Sequence, residues 1–119
     1  MQPEQQLSKF VSTIEYENLP NGAVNTITRA VTDTIGVTLA GAVEGAGQTA
    51  AMSAEIDTNS TDAATLLGVT STEKPPAAAL RVGTASHALD YDDLSWGLDG
   101  HPSVTLVPPL LALADTVNA

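Results

Sequence analysis

Both histidines of this 119-residue chain and four of its aspartates fall within one short stretch. It reads Ser86-His87-Ala88-Leu89-Asp90-Tyr91-Asp92-Asp93, carries Asp99, and resumes at His101-Pro102-Ser103. A carboxylate beside an imidazole orients the ring and favours its protonated form, a pairing suited to moving protons. On a helix ending near Asp90, His87 and Asp90 stand three residues apart and share a face. The loop from Leu94 to Gly100 contains Gly97 and can fold His101 back over that helix end. Each residue also has a plainer role open to it. A histidine beside an aspartate is more often a structural hydrogen bond, Asp92 and Asp93 read equally as solvated acids, and Tyr91 and Trp96 as packing residues.

The same side chains are all metal donors, so His87, Asp90, Asp92, Asp93 and His101 leave a metal reading open. The spacing nevertheless matches no calcium loop, because Leu94 stands where an oxygen ligand belongs, and no HExxH motif occurs. With no cysteine in the chain, thiolate metal sites, disulfides and cysteine nucleophiles are excluded. The glycines form neither a GxGxxG nor a P-loop pattern. The expectation is therefore no metal and no cofactor.

The elements that must position these residues read as helices. Leu7, Phe10, Val11 and Ile14 fall at helical spacing in a first segment, Pro3 to Ile14, which ends at the turn Asn18-Leu19-Pro20-Asn21-Gly22. A second runs from about Ala23 to Gly41, with Val24, Ile27, Val31, Ile35 and Leu39 on one stripe and Asn21 placed to cap it. Gly36 inside that helix suggests a close helix contact. A third, shorter helix spans roughly Gln48 to Ile56. Asp57 to Asp62 is a polar loop, and Thr65 to Val69 an apolar run read as one extended segment. Ser71 to Pro76 leads into a fourth helix, about Ala77 to Asp90, with Pro75 and Pro76 at its entrance. The fifth, Ser103 to Asn118, takes Ser103 as cap and carries Leu106, Leu110, Leu113 and Val117 on one face. Pro108 and Pro109 predict an irregular start for it. The fold class is thus all-α, with four to five helices forming a single partial domain over residues 1–119.

Charge narrows the partners. Fourteen acids face Lys9, Arg29, Lys74 and Arg81, a net charge of -10. Nucleic acid and anionic membranes both require a cationic footprint, so neither is expected. No apolar run is long enough to span a membrane and Met1 to Lys9 is polar, which points to a soluble, cytoplasmic protein. Acids spread along the chain, with very little lysine, suit a high-salt cytoplasm where ions screen self-repulsion. Beyond Arg81 there is no further Lys or Arg, while Asp90, Asp92, Asp93, Asp99 and Asp115 lie there. A site built from this stretch alone repels carboxylates and needs cations from elsewhere.

Taken in order, the motifs Asp33-Thr34-Ile35-Gly36-Val37-Thr38-Leu39-Ala40-Gly41, Ala64 to Gly68, Ala85 to Asp93 with His101-Pro102-Ser103, and Val107 to Ala114 resemble the MmgE/PrpD family. That family includes 2-methylcitrate dehydratase and cis-aconitate decarboxylase. The resemblance implies the N-terminal part of a large helical domain, accompanied in the family by a smaller α/β lid and usually by homodimerisation. It implies metal-free lyase chemistry on citrate-like acids, with proton transfer at carbon. By motif, His101 and Asp90 fall on active-site positions, His101 as the proton-transfer group and Asp90 orienting it or contacting substrate. His87 would support the helix end, and Asp92 and Asp93 would hold the loop. Leu94 stands where dehydratase- and decarboxylase-like members often carry threonine, which removes a hydroxyl donor.

Family members are several times longer than this chain. The leading expectation is an N-terminal part of a 2-methylcitrate-dehydratase-like enzyme, inactive without its remainder, acting on a citrate-like acid as a homo-oligomer or with a separately encoded C-terminal partner chain. The alternative is a truncated, non-catalytic helical or oligomerisation protein. A small metal-binding acidic module is the third. Segments two, four and five are apolar beyond a narrow stripe, so exposed core, oligomers and marginal folding at low salt are expected.

Overall fold

The computed structural model describes residues 2–59, 61–69 and 72–117. Its α-helices, in chain order, are α1 (Pro3–Thr13), α2 (Asn21–Gly41), α3 (Gly45–Ser53), α4 (Ala63–Leu66), α5 (Pro75–His87) and α6 (Pro102–Val117). Among the described residues the sole β-type pairing is an isolated antiparallel bridge between Ser95 and Gly100. No helix is long and apolar enough to cross a membrane among those residues. The all-α expectation holds. The expected helix end at Asn118 and the lead-in residue Ser71 lie outside the described residues, as does Ser60 of the polar loop.

Helix α5 is the centre of the packing, flanked by α6, α2 and α3. Pro75 and Pro76 occupy its first positions, where an absent N–H goes unmissed. Ala78, Val82 and Ala85 form its buried side. Ala85 joins Ala42 and Leu66 in the core, with Leu39 and Ile56 packed against them. These small side chains let backbones approach closely. A Cβ added at Gly41 would fall on the carbonyl oxygen of Ala85, and one at Gly47 on the carbonyl oxygen of Gly41. Gly36 is the wrong glycine for this role: a Cβ there meets nothing within 4 Å. Helical spacing puts Gly36 on the outer side of α2, whereas the close approach falls at its last turn.

Threonine hydroxyls line α2. Thr26, Thr28, Thr32, Thr34 and Thr38 each donate to the carbonyl four residues back, which satisfies the hydroxyl within the helix. Thr38 is buried and also meets Ser86 Oγ of α5 at 2.7 Å. With the Thr38 proton directed to Thr34, the single hydroxyl proton of Ser86 is shared between Thr38 Oγ1 and the Val82 carbonyl, also at 2.7 Å.

Other local expectations change for identifiable reasons. Asn21 is the first residue of α2 rather than its cap, because Pro20 takes the cap position and its carbonyl accepts from Ala23 and Val24. The run read as extended is helical: Asp62 caps α4 by accepting the Thr65 N–H at 3.1 Å, and Gly68 ends the turn at φ +74° against Val82 and Ala78. Pro108 and Pro109 do not disturb the start of α6, which runs unbroken from Pro102. Pro108 is fully buried, and the Val104 carbonyl that its absent N–H leaves free faces Gly83 of α5. The stripe Leu106, Leu110, Leu113 and Val117 points outward and is exposed, as are Leu7, Phe10 and Val11 of α1.

Two outcomes test this packing. Gly41→Ala and Gly47→Ala should each destabilise by at least about 1–3 kcal/mol in urea titrations, since backbone must move to admit the methyl. Gly36→Ala should stabilise by about 0.5–1 kcal/mol, the helix-propensity gain in open space. Equal effects at all three positions would overturn the close-approach account.

A pH test follows from the α4 cap. The Thr65 backbone N–H holds the Asp62 carboxyl below its ordinary value of 3.8, helped by the Thr65 hydroxyl. Because the folded value is the lower one, this stabilisation is complete above the unfolded value and is lost as pH falls through the folded value. Amide exchange at Thr65 should therefore accelerate in that acid range, and Asp62→Ala should abolish the pH step.

Candidate active site

The site is built where α5 ends and α6 begins. Helix α5 stops at His87, earlier than the sequence spacing predicts, and the Asp90 N–H returns to the His87 carbonyl at 3.1 Å. Asp90 has φ +55°, in the left-handed region that Asp tolerates better than most residues. It therefore does not share a helical face with His87. The chain turns at Asp90, and this turn aims the next acid, Asp92, back into the protein.

Asp92 is the centre of the cluster. Its side chain is 1% exposed, against 51% for His87, 28% for His101 and 76% for Asp90. His87 Nδ1 lies 2.9 and 3.1 Å from the two Asp92 oxygens. His101 Nδ1 is 3.0 Å from Asp92 Oδ2, but off the line a ring N–H would take, so the buried nitrogen has proximity to the carboxylate without a directed hydrogen bond. The other nitrogen of His101, Nε2, faces Asp90 Oδ1 at 3.7 Å. The two imidazoles meet edge to face, with centroids 4.7 Å apart at 62°. The loop thus folds His101 back over the end of α5, as the sequence suggests.

The remaining candidates have different surroundings. Asp93 accepts the Ser103 N–H at 3.1 Å and also the Ser103 hydroxyl. Ser103 is therefore not the cap of α6: it lies inside the first turn, and Asp93 supplies the capping carboxylate from across the loop. Leu94 is exposed and has no part in the cluster. Ser95 pairs with Gly100 through N–H to carbonyl contacts of 2.9 and 3.4 Å, which closes the loop below its tip.

Beside His87 an open groove of about 650 Å³ runs between α5 and α6, lined by Leu80, Gly83, Thr84, Val104 and Pro109 among others. On the other side of the loop, Arg29 of α2 lines a second groove with Tyr91 and Asp93. Arg81 is occupied elsewhere. It is buried, forks onto Glu73 with Nη2 at 2.7 Å, and donates to the Thr65 and Leu66 carbonyls at 2.9 Å. The sequence pointed to the His/Asp stretch but not to Asp92 as its buried centre. No periodic signal marked it, because the left-handed turn at Asp90 sets the direction of Asp92.

Substitutions separate the two acids. Asp92→Ala should cost about 1–3 kcal/mol of stability by urea denaturation, because the buried hydrogen-bond partner of His87 is lost. Asp90→Asn, which keeps a residue tolerant of positive φ and alters an exposed contact, should change stability by less than about 0.5 kcal/mol.

Comparison with known proteins agrees with the sequence resemblance. The sequence model described as MmgE/PrpD N-terminal domain matches residues 5–119. No curated protein matches the chain, and no solved structure does.

Proposed function

Since the chain belongs to the MmgE/PrpD family, as its N-terminal domain, we propose that it is the N-terminal part of a 2-methylcitrate-dehydratase-like lyase. The reaction removes water from a citrate-like tricarboxylic acid: a base takes a proton from carbon, the neighbouring C–O bond breaks, and the hydroxyl takes up a proton from an acid group as it leaves as water. His101 is the proton-transfer group. The observation that carries this reading is the placement of its ring between a buried and an exposed carboxylate. Asp92 lies against Nδ1 from within, and Nε2 is the nitrogen turned towards Asp90. Asp90 orients that nitrogen or contacts the substrate. His87 supports the helix end and shares Asp92, and Asp93 holds the loop to α6.

Electrostatics support dependence on further chain. A tricarboxylate needs cations in its site, whereas Asp90, Asp92 and Asp93 converge here and Arg81 is committed to Glu73. The family's remaining helices and lid would bring the missing positive charge, on a partner chain or on a longer form of this one. The exposed α6 face of Leu106, Leu110, Leu113 and Val117 favours a second reading, in which the protein is a non-catalytic oligomerisation module.

A native pull-down from source cells at molar KCl, with intact masses of everything recovered, decides between the two. Recovery of the family's remaining portion, with dehydration of a citrate-like acid that falls more than a hundredfold on His101→Ala, is the expected result. A 12.2 kDa species recovered by itself, without turnover, would leave the oligomerisation reading.

A further inference from the structure

We infer that His87, Asp90, Asp92 and His101 form a binding site for one divalent transition ion of the zinc type, and that its occupancy switches off proton transfer. One donor atom from each of the four side chains lies within 4.8 Å of the others. Zinc bonds of about 2.0–2.2 Å to nitrogen and oxygen set neighbouring tetrahedral donors about 3.3 Å apart. Asp92 Oδ2 stands 3.1 Å from His87 Nδ1 and 3.0 Å from His101 Nδ1, close to the required edge. Asp90, whose Oδ1 now faces Nε2 of His101 at 3.7 Å, is exposed and completes the set by rotating towards the Nδ1 side.

A second observation is independent of the spacing. His101 Nδ1 is buried yet makes no aligned hydrogen bond with the carboxylate beside it. A buried polar atom in that state carries a desolvation penalty that a metal bond would remove. The exposed side chains of His87 and Asp90 leave a path for the ion, while buried Asp92 supplies a carboxylate fixed in advance. Two imidazoles with two carboxylates and no thiolate suit zinc and its neighbours, whereas magnesium and calcium prefer oxygen shells. With the Nδ1 lone pair of His101 committed to the ion, the ring's one proton resides on Nε2, which then has no lone pair with which to accept a proton from carbon. The inhibitory part of the inference rests on the proton-transfer reading of His101, and the binding part does not.

Titration calorimetry of the full chain with zinc chloride at pH 7 tests the binding part. One ion per chain is expected, with affinity falling by about tenfold or more in His87→Gln and in His101→Gln. Asp99→Asn, a nearby acid outside the cluster, should leave affinity unchanged, and magnesium should not compete. Absence of saturable binding, or binding insensitive to both histidine variants, would overturn the site. If either variant unfolds by circular dichroism, imidazole nitrogen shifts in the unaltered protein decide instead: both rings must move with zinc. Because none of these readouts needs turnover, failure of the lyase reading and failure of the metal site are told apart.

Discussion

The orientation of α5 rests on a place where three helices meet without side chains between them. The final turn of α2 and the start of α3 approach α5 at Gly41, Gly47 and Ala85, where backbone touches backbone. Such contacts leave little latitude in angle or register, because there is no flexible group to compensate for a shift. His87 is two residues beyond Ala85, and Ser86 between them is tied to Thr38 of α2. The position of the first imidazole is therefore inherited directly from helix packing. The second imidazole stands on the residue just before α6, whose start Asp93 secures by capping at Ser103. The two rings are brought together by one packed junction and one cross-loop cap, and Asp92 occupies the space where they converge.

How much of this could be read in advance depended on the kind of signal. The His/Asp stretch, the return of His101 and the helical class were legible, because residue type and the 3.6-residue period carry them. The end of α5 was not. Periodicity continues through Leu89, and only the left-handed conformation of Asp90 breaks it, a feature Asp permits without announcing. A helical glycine signals a close contact without saying which glycine, so Gly36 drew attention that belonged to Gly41. The outward stripe of α6 was visible as a stripe, but its direction depends on tertiary packing. Helix α4 was missed because four residues are too short for a period, and its start depends on one carboxylate at Asp62.

Charge is distributed unevenly in a way that matters for chemistry. The arginine most deeply placed in the fold serves structure: Arg81 satisfies two backbone carbonyls at the end of α4 and neutralises Glu73. Removing one partner of a buried pair of this kind is far more damaging than the pair is stabilising, so this cation cannot be redirected to a ligand. The acids at the α5–α6 junction are left without a basic neighbour in the cluster itself. An acidic pocket holding two imidazoles is suited to cations and protons. It becomes a receptor for polycarboxylates only when positive charge is brought to it.

The closure of the α5–α6 loop separates its tip from everything beneath. Ser95 and Gly100 pair at the neck, and the residues beyond them, including Trp96, project into solvent. Trp96 is the chain's single tryptophan and is 87% exposed, and both tyrosines, Tyr16 and Tyr91, are exposed as well. The intrinsic fluorophores thus already sit in water in the native state. Tryptophan emission will barely register the loss of the α2–α3–α5 junction, so a flat fluorescence melt would describe the loop tip and not the resilience of the core.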